Sequence, residues 1–263
     1  MNSKAVVKSV LVTLMATIMM GCSDKADETK NSSDFVTSAI EAHYLVEVSE
    51  ANKVLYQANF INDKSSLELE NGDVISVVTN NETIALEEST SAGTATYRLI
   101  RTETQSASRY FFEFTRTSQE DADGSYVKVP NGFILTSPSE TDGYIPVEGK
   151  AFTIQWRELT SEVPVPDEDE EFTLIYDFNC RNDSGTPSIE NRSAEKVADN
   201  GSHVVNLANI LGAGDYDECS KFDIVAIRSD EVNGVLDSEL KSGSTVGSQI
   251  RTVEGSLDGL QLQ

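Results

Sequence analysis

The sequence predicts a mainly β protein, with two successive β-sandwich-like domains following a signal peptide and a flexible tether. Three observations predict it. Apolar and polar residues alternate with period two in short runs rich in β-branched and aromatic side chains. Pairs of turn-forming residues punctuate those runs, and a short basic region followed by an apolar stretch opens the chain.

The opening stretch comes first. Lys4 and Lys8 supply the basic region, and residues 9 to 21 form a mainly apolar run that ends at Gly21-Cys22 before a strongly polar segment. A membrane-spanning helix needs about 20 predominantly apolar residues, so the run is too short to span and reads as a cleaved signal peptide, residues 1–21. Met19-Met20-Gly21-Cys22 resembles the lipobox of bacterial lipoproteins, although Met19 and Met20 stand where that family usually has Leu and a small residue. The resemblance implies that Cys22 is acylated and becomes the first residue of the mature chain. It implies a lipid anchor in the membrane, and Ser23 directly after the cysteine, in place of Asp, implies the outer membrane. Such anchors carry diacylglycerol, usually with a further N-acyl group, which satisfies the requirement for at least two membrane-binding signals. An ordinary secretory signal with an incidental cysteine is the alternative, and it too places the protein outside the cytoplasm.

With Cys22 assigned to the lipid, Cys180 and Cys219 remain as a pair in an oxidising compartment, and a disulfide between them is expected. Two separate buried thiols are the alternative. The full chain has 20 basic and 44 acidic residues; removal of Lys4 and Lys8 leaves 18 against 44, a formal charge of −26 over residues 22–263. A field of that sign repels nucleic acid and anionic surfaces, so no nucleic-acid partner is expected.

Residues 22–36, polar after Cys22, read as the tether. The first β domain is placed at 37–129. Its strands are expected at His43 to Val48, Val54 to Ile61, Asp73 to Thr79, Thr83 to Leu86, Thr94 to Ile100 and Tyr110 to Thr117. Asn62-Asp63, Asn71-Gly72, Asn80-Asn81 and Asp123-Gly124 are the turn signals, since these residues tolerate left-handed backbone. In the last strand, alternation places Phe112 and Phe114 on one face and Phe111 and Glu113 on the other, a core stripe rather than a ligand platform.

Val129-Pro130-Asn131-Gly132 separates this series from a second domain, residues 130–258, with one large sandwich as the alternative. Strands are expected at Phe133 to Ser137, Ala151 to Trp156, Phe172 to Cys180, Ser202 to Asn206, Lys221 to Arg228 and Gln249 to Val253, with a short helical turn at Leu207 to Leu211. The Thr136-Ser137-Pro138 strand, the following acidic turn and the strand ending in Trp156 resemble immunoglobulin-like modules of bacterial surface proteins. An antibody-type domain would set Trp between its paired cysteines, whereas Trp156 precedes both Cys180 and Cys219, so the resemblance implies sandwich architecture alone.

Chemistry is sparse. His43 and His203 fall in strands with no Cys or second His at metal-binding spacing, and each reads as a surface or half-buried strand residue. Neither a Gly-x-Ser-x-Gly elbow nor a phosphate-cradling glycine loop is present, and no cofactor is expected. Glu120-Asp121-Ala122-Asp123-Gly124 contains a fragment of a calcium loop, but Gln119 and Pro130 occupy its first and twelfth ligand places; it reads as a solvated hairpin turn. In the run Asp167 to Glu171, a divalent-cation site at Asp167, Asp169 and Glu171 is the alternative to a solvated acidic loop. The sequence therefore reads as a non-enzymatic envelope or surface module with a membrane anchor, which either binds a protein or glycan partner or is purely structural. A lipid-anchored hydrolase of envelope or extracellular polymer, using carboxylates, is the alternative.

Overall fold

The computed structural model describes residues 29–49, 53–79, 82–91, 94–102, 108–139, 144–146, 151–159, 171–181, 189–211, 218–231, 233–254 and 256–258. The first half contains β1 (Lys30–Asn31), β2 (Glu41–Ser49), β3 (Lys53–Asn62), β4 (Ser65–Glu68), β5 (Val74–Thr79), β6 (Glu82–Ala85), β7 (Glu87–Ser91), β8 (Thr94–Thr102), β9 (Arg109–Thr115) and β10 (Ala122–Lys128). The second half contains β11 (Phe133–Ser137), β12 (Tyr144–Pro146), β13 (Ala151–Glu158), β14 (Glu171–Arg181), β15 (Ile189–Val197), β16 (Ser202–Asn206), α1 (Leu207–Leu211), β17 (Glu218–Asp230), β18 (Ser242–Val253) and β19 (Ser256–Asp258). Two 3-10 turns, Ser32–Asp34 and Thr37–Ala39, lie between β1 and β2.

The fold is mainly β and sandwich-like. One large sheet runs in the order β1-β4-β3-β2-β18-β17-β14-β15, and two smaller sheets, β10-β9-β5-β6 and β11-β13-β16, pack against it. Period-two alternation explains which faces meet. Tyr44, Tyr56, Phe60 and Tyr97 from the large sheet meet Ile75, Val77, Tyr110, Phe112 and Phe114 in one core. Phe172, Leu174, Tyr176, Phe222 and Ile224 meet Phe133, Ile154 and Trp156 in another. Phe112 and Phe114 are fully buried and Phe111 is 45% exposed, as the alternation in β9 required. Each buried aromatic contributes about 1.5–3 kcal/mol over an exposed one. On the opposite face of the large sheet Ile175, Val225, Ile227 and Ile250 form a smaller cluster.

The two halves share β18. Its residues Ser242 to Gln249 run parallel to β2, register Ser242↔Glu41 to Gln249↔Val48, while Gly247 to Val253 pair antiparallel with β17. Leu240, just before it, is buried in the first core. The connection between halves crosses this strand closely: a Cβ on Gly247 would lie 1.8 Å from the Lys128 carbonyl oxygen, so glycine alone permits the crossing. Gln249 donates to Pro130 O at 3.2 Å and Arg251 to Phe133 O at 2.9 Å. Lys128 pairs with the buried Asp230 at 3.1 Å.

Several local expectations change. Asp123-Gly124 lies inside β10, where the pairing with β9 shifts register between Ala122 and Ser125, so a bulge stands where a hairpin turn was expected. Asn71 and Gly72, at φ 57° and 90°, do make a left-handed turn, while the turn expected at Asn62-Asp63 sits one residue later, at Asp63 (φ 47°) and Lys64 (φ 78°). Strands β4, β7 and β15 were missed because their polar composition conceals the alternation. The expected tether ends early: from Lys30 the chain is built into the body, β1 pairing parallel with β4.

Candidate functional site

Cys22, Asp167 and Asp169 lie outside the described residues. Cys180 and Cys219 are bonded, with Cα atoms 4.0 Å apart. The strand register brings them together: Cys180 faces Cys219 and Asn179 faces Lys221, so β17 carries one extra residue at that point. Both sulfurs are buried in the second core. The bond joins neighbouring strands of one sheet, unlike the antibody arrangement in which it crosses between sheets. Trp156 nevertheless occupies the core, stacked on Phe172 at 4.3 Å between ring centres.

Glu171, the described member of the proposed cation set, takes Lys196 as an exposed partner at 2.5 Å, which joins β14 to β15 and raises the lysine pKa. Among the described residues, no group of three or more His, Cys, Asp or Glu side chains is arranged to hold a metal ion. His43 Nδ1 lies 2.8 Å from Ser244 Oγ, with burial pulling its pKa down. His203 Nε2 lies 3.0 Å from Glu195, and Glu195 also accepts a hydrogen bond from the Tyr176 hydroxyl. Burial, then Glu195, pushes that hydroxyl far above its ordinary pKa. The trio bridges β14 and β15 of the large sheet to β16 of the small one.

Two buried arginines organise the polar interior, and sequence reading assigned neither a role. Arg228 is 1% exposed. Its Nε pairs with Asp199 at 2.7 Å, its Nη1 donates to Asn131 O at 3.0 Å, and its guanidinium lies over Phe133 and Phe172. Asp199 also accepts the Trp156 indole N–H at 2.6 Å, so one carboxylate ties the tryptophan to the arginine. In the first half, Arg116 Nε pairs with Asp73 at 3.1 Å, both side chains being buried. A signal for Arg116 existed: it continues the inward parity of Tyr110, Phe112 and Phe114.

Near Arg116 the surface opens into a hollow of about 520 Å³, lined by Val36, Ser38, Gln119, Glu120 and Glu239 among others. The neighbouring Glu120 carboxyl raises the pKa of the exposed Glu239. On the outer face of β9 and β10, Phe111 stands 5.7 Å from Tyr126 between ring centres, and Arg109 lies over the tyrosine at 5.0 Å. No described helix is long and apolar enough to cross a membrane.

No family model matches the chain, and no curated protein matches it. Solved structures show a low-level likeness. A DUF4785 family protein from Legionella pneumophila is 12% identical, with 71% of this chain and 52% of that one covered at a TM-score of 0.25. The adhesin InvE of Yersinia pseudotuberculosis is 7% identical over 84% and 60% of the two chains, at 0.20. A tandem of titin immunoglobulin domains is 11% identical over 81% and 97%, at 0.24. The chain thus spans about half the length of the Legionella protein. At these scores the likeness assigns no function.

Proposed function

We propose that the protein is a lipid-anchored lipoprotein of the cell envelope, held in the outer membrane through Cys22, whose β body is a non-enzymatic binding or structural module for a protein or glycan partner. The observation that carries this reading is the sorting of the three cysteines. Cys180 and Cys219 are joined in a buried disulfide suited to an oxidising compartment, which leaves Cys22, at the end of the apolar run, as the thiol available for acylation. The organisation into domains at 37–129 and 130–258 belongs to the same reading. The buried charges support a structural role, because Arg116, Asp73, Arg228 and Asp199 are spent on one another and on backbone carbonyls.

Metabolic labelling with a fatty-acid analogue tests the anchor. The wild-type chain takes up label, and Cys22→Ala abolishes it and leaves an uncleaved precursor; label persisting in the variant sinks the assignment. For the body, capture of envelope and extracellular fractions on the exported protein should retain a specific partner. Hydrolysis of an envelope polymer by the purified chain would overturn the non-enzymatic part.

A further inference from the structure

We propose that residues 30–40 are a mooring: Arg116 locks the segment through which an anchored chain is held into the β1 edge of the large sheet, so that this edge faces the membrane and β15 points away. The proposal rests on the reading of Cys22 as acylated.

The Arg116 side chain is fully shielded from solvent and its hydrogen bonds are directed at the start of the body. It donates to Ser32 O at 2.6 Å, Phe35 O at 3.0 Å and Thr37 Oγ at 3.2 Å, as well as to Asp73. Ser32 Oγ donates to the same Asp73 carboxylate at 2.8 Å, and Thr37 Oγ to Glu120 O at 2.5 Å. A buried guanidinium is tolerated when its donors are satisfied. Here two of the acceptors are carbonyls of the mooring segment, so the segment cannot peel away without stranding a buried charge.

Lengths turn this local lock into an orientation. From Cys22 to Lys30 is eight residues, a reach of at most about 28 Å. The large sheet places β15 seven strand spacings from β1, about 34 Å as counted along the sheet. A chain loose as far as Glu41 would reach about 65 Å, roughly twice the sheet's width, and either edge could then meet the lipid. The lock removes that freedom.

The full-length acylated protein in phosphatidylethanolamine–phosphatidylglycerol vesicles containing a headgroup spin-label quencher provides the test. A fluorophore is placed at Glu70→Cys, beside β1, or at Ala194→Cys, on β15; both positions are exposed. The Glu70 label should be quenched several-fold more than the Ala194 label, and the contrast should shrink in Arg116→Met. Equal quenching in the wild-type background, or a contrast unchanged by Arg116→Met, overturns the proposal. If Arg116→Met does not fold, Ser32→Ala combined with Thr37→Val loosens the same segment while keeping the arginine, and is judged by the same contrast. Hydrogen exchange of the wild-type chain separates failure of the anchor from failure of the mooring. Residues 32–40 should be protected comparably to β2 whether or not Cys22 is acylated, and exchange at the rate of an unstructured peptide would refute the lock.

Discussion

The two cores solve the same packing problem with unequal independence. The second completes its core from residues 133–253, stacks Trp156 on Phe172 and adds the Cys180–Cys219 bond. The first is built largely from residues 40–129 but draws Leu240 into its core and takes β18 as the partner of β2. A β sheet whose inner edge is closed by a strand about 200 residues away depends on the chain end for its own hydrogen bonds. The second half can be regarded as self-sufficient, and the first as borrowing.

Separating the halves should produce the largest effect. Residues 29–130 alone lack β18 and leave β2 with an open edge, so no cooperative thermal transition is expected, whereas residues 131–258 should retain one. A cooperative transition in the first fragment, followed by circular dichroism, would show that β18 is dispensable to it.

Next come the buried pairs. Arg228→Met strands the Asp199 and Glu158 carboxylates, and Arg116→Met strands Asp73; each should cost about 3–5 kcal/mol, the range for breaking a buried pair by removing one partner. Urea unfolding followed by Trp156 fluorescence and by far-ultraviolet circular dichroism sharpens the comparison. Coincident transitions in both variants would mean that the junction at Gly247, Gln249 and Arg251 couples the halves. A fluorescence transition that Arg116→Met leaves in place would mean that the first half can be lost by itself.

Replacing Cys180 and Cys219 by Ala frees a loop spanning a sequence separation of 39, for which the chain-entropy model gives about 4 kcal/mol. The loss should appear as an earlier urea midpoint. An unchanged midpoint would mean that the paired strands already hold the sheet there.

The smallest effect is one of pH. Burial pushes the Glu47 carboxyl up to about 7 from an ordinary 4.5. Below 4.5 both folded and unfolded chains hold the proton. Between 4.5 and 7 the unfolded chain releases it first, so stability falls as pH rises, by about 3 kcal/mol at most. Glu47→Gln should flatten that fall; identical slopes for variant and wild type between pH 5 and 7.5 would place the dependence elsewhere.

Alternation by itself determined that the chain is mainly β, that Phe112 and Phe114 point inward, and where α1 interrupts the strands, because those are local properties of period and composition. Cysteine counting reached the pairing of Cys180 with Cys219, although only the shifted register of β14 on β17 put their α-carbons within bonding distance. The polar strands were illegible for want of an apolar face; β15 earns its place by pairing with β14. Arg116 and Arg228 could be placed by parity, but their burial depends on carboxylates and carbonyls distant in sequence. The parallel pairing of β18 with β2 was decided by tertiary structure alone, since nothing local in either strand specifies a partner some two hundred residues away.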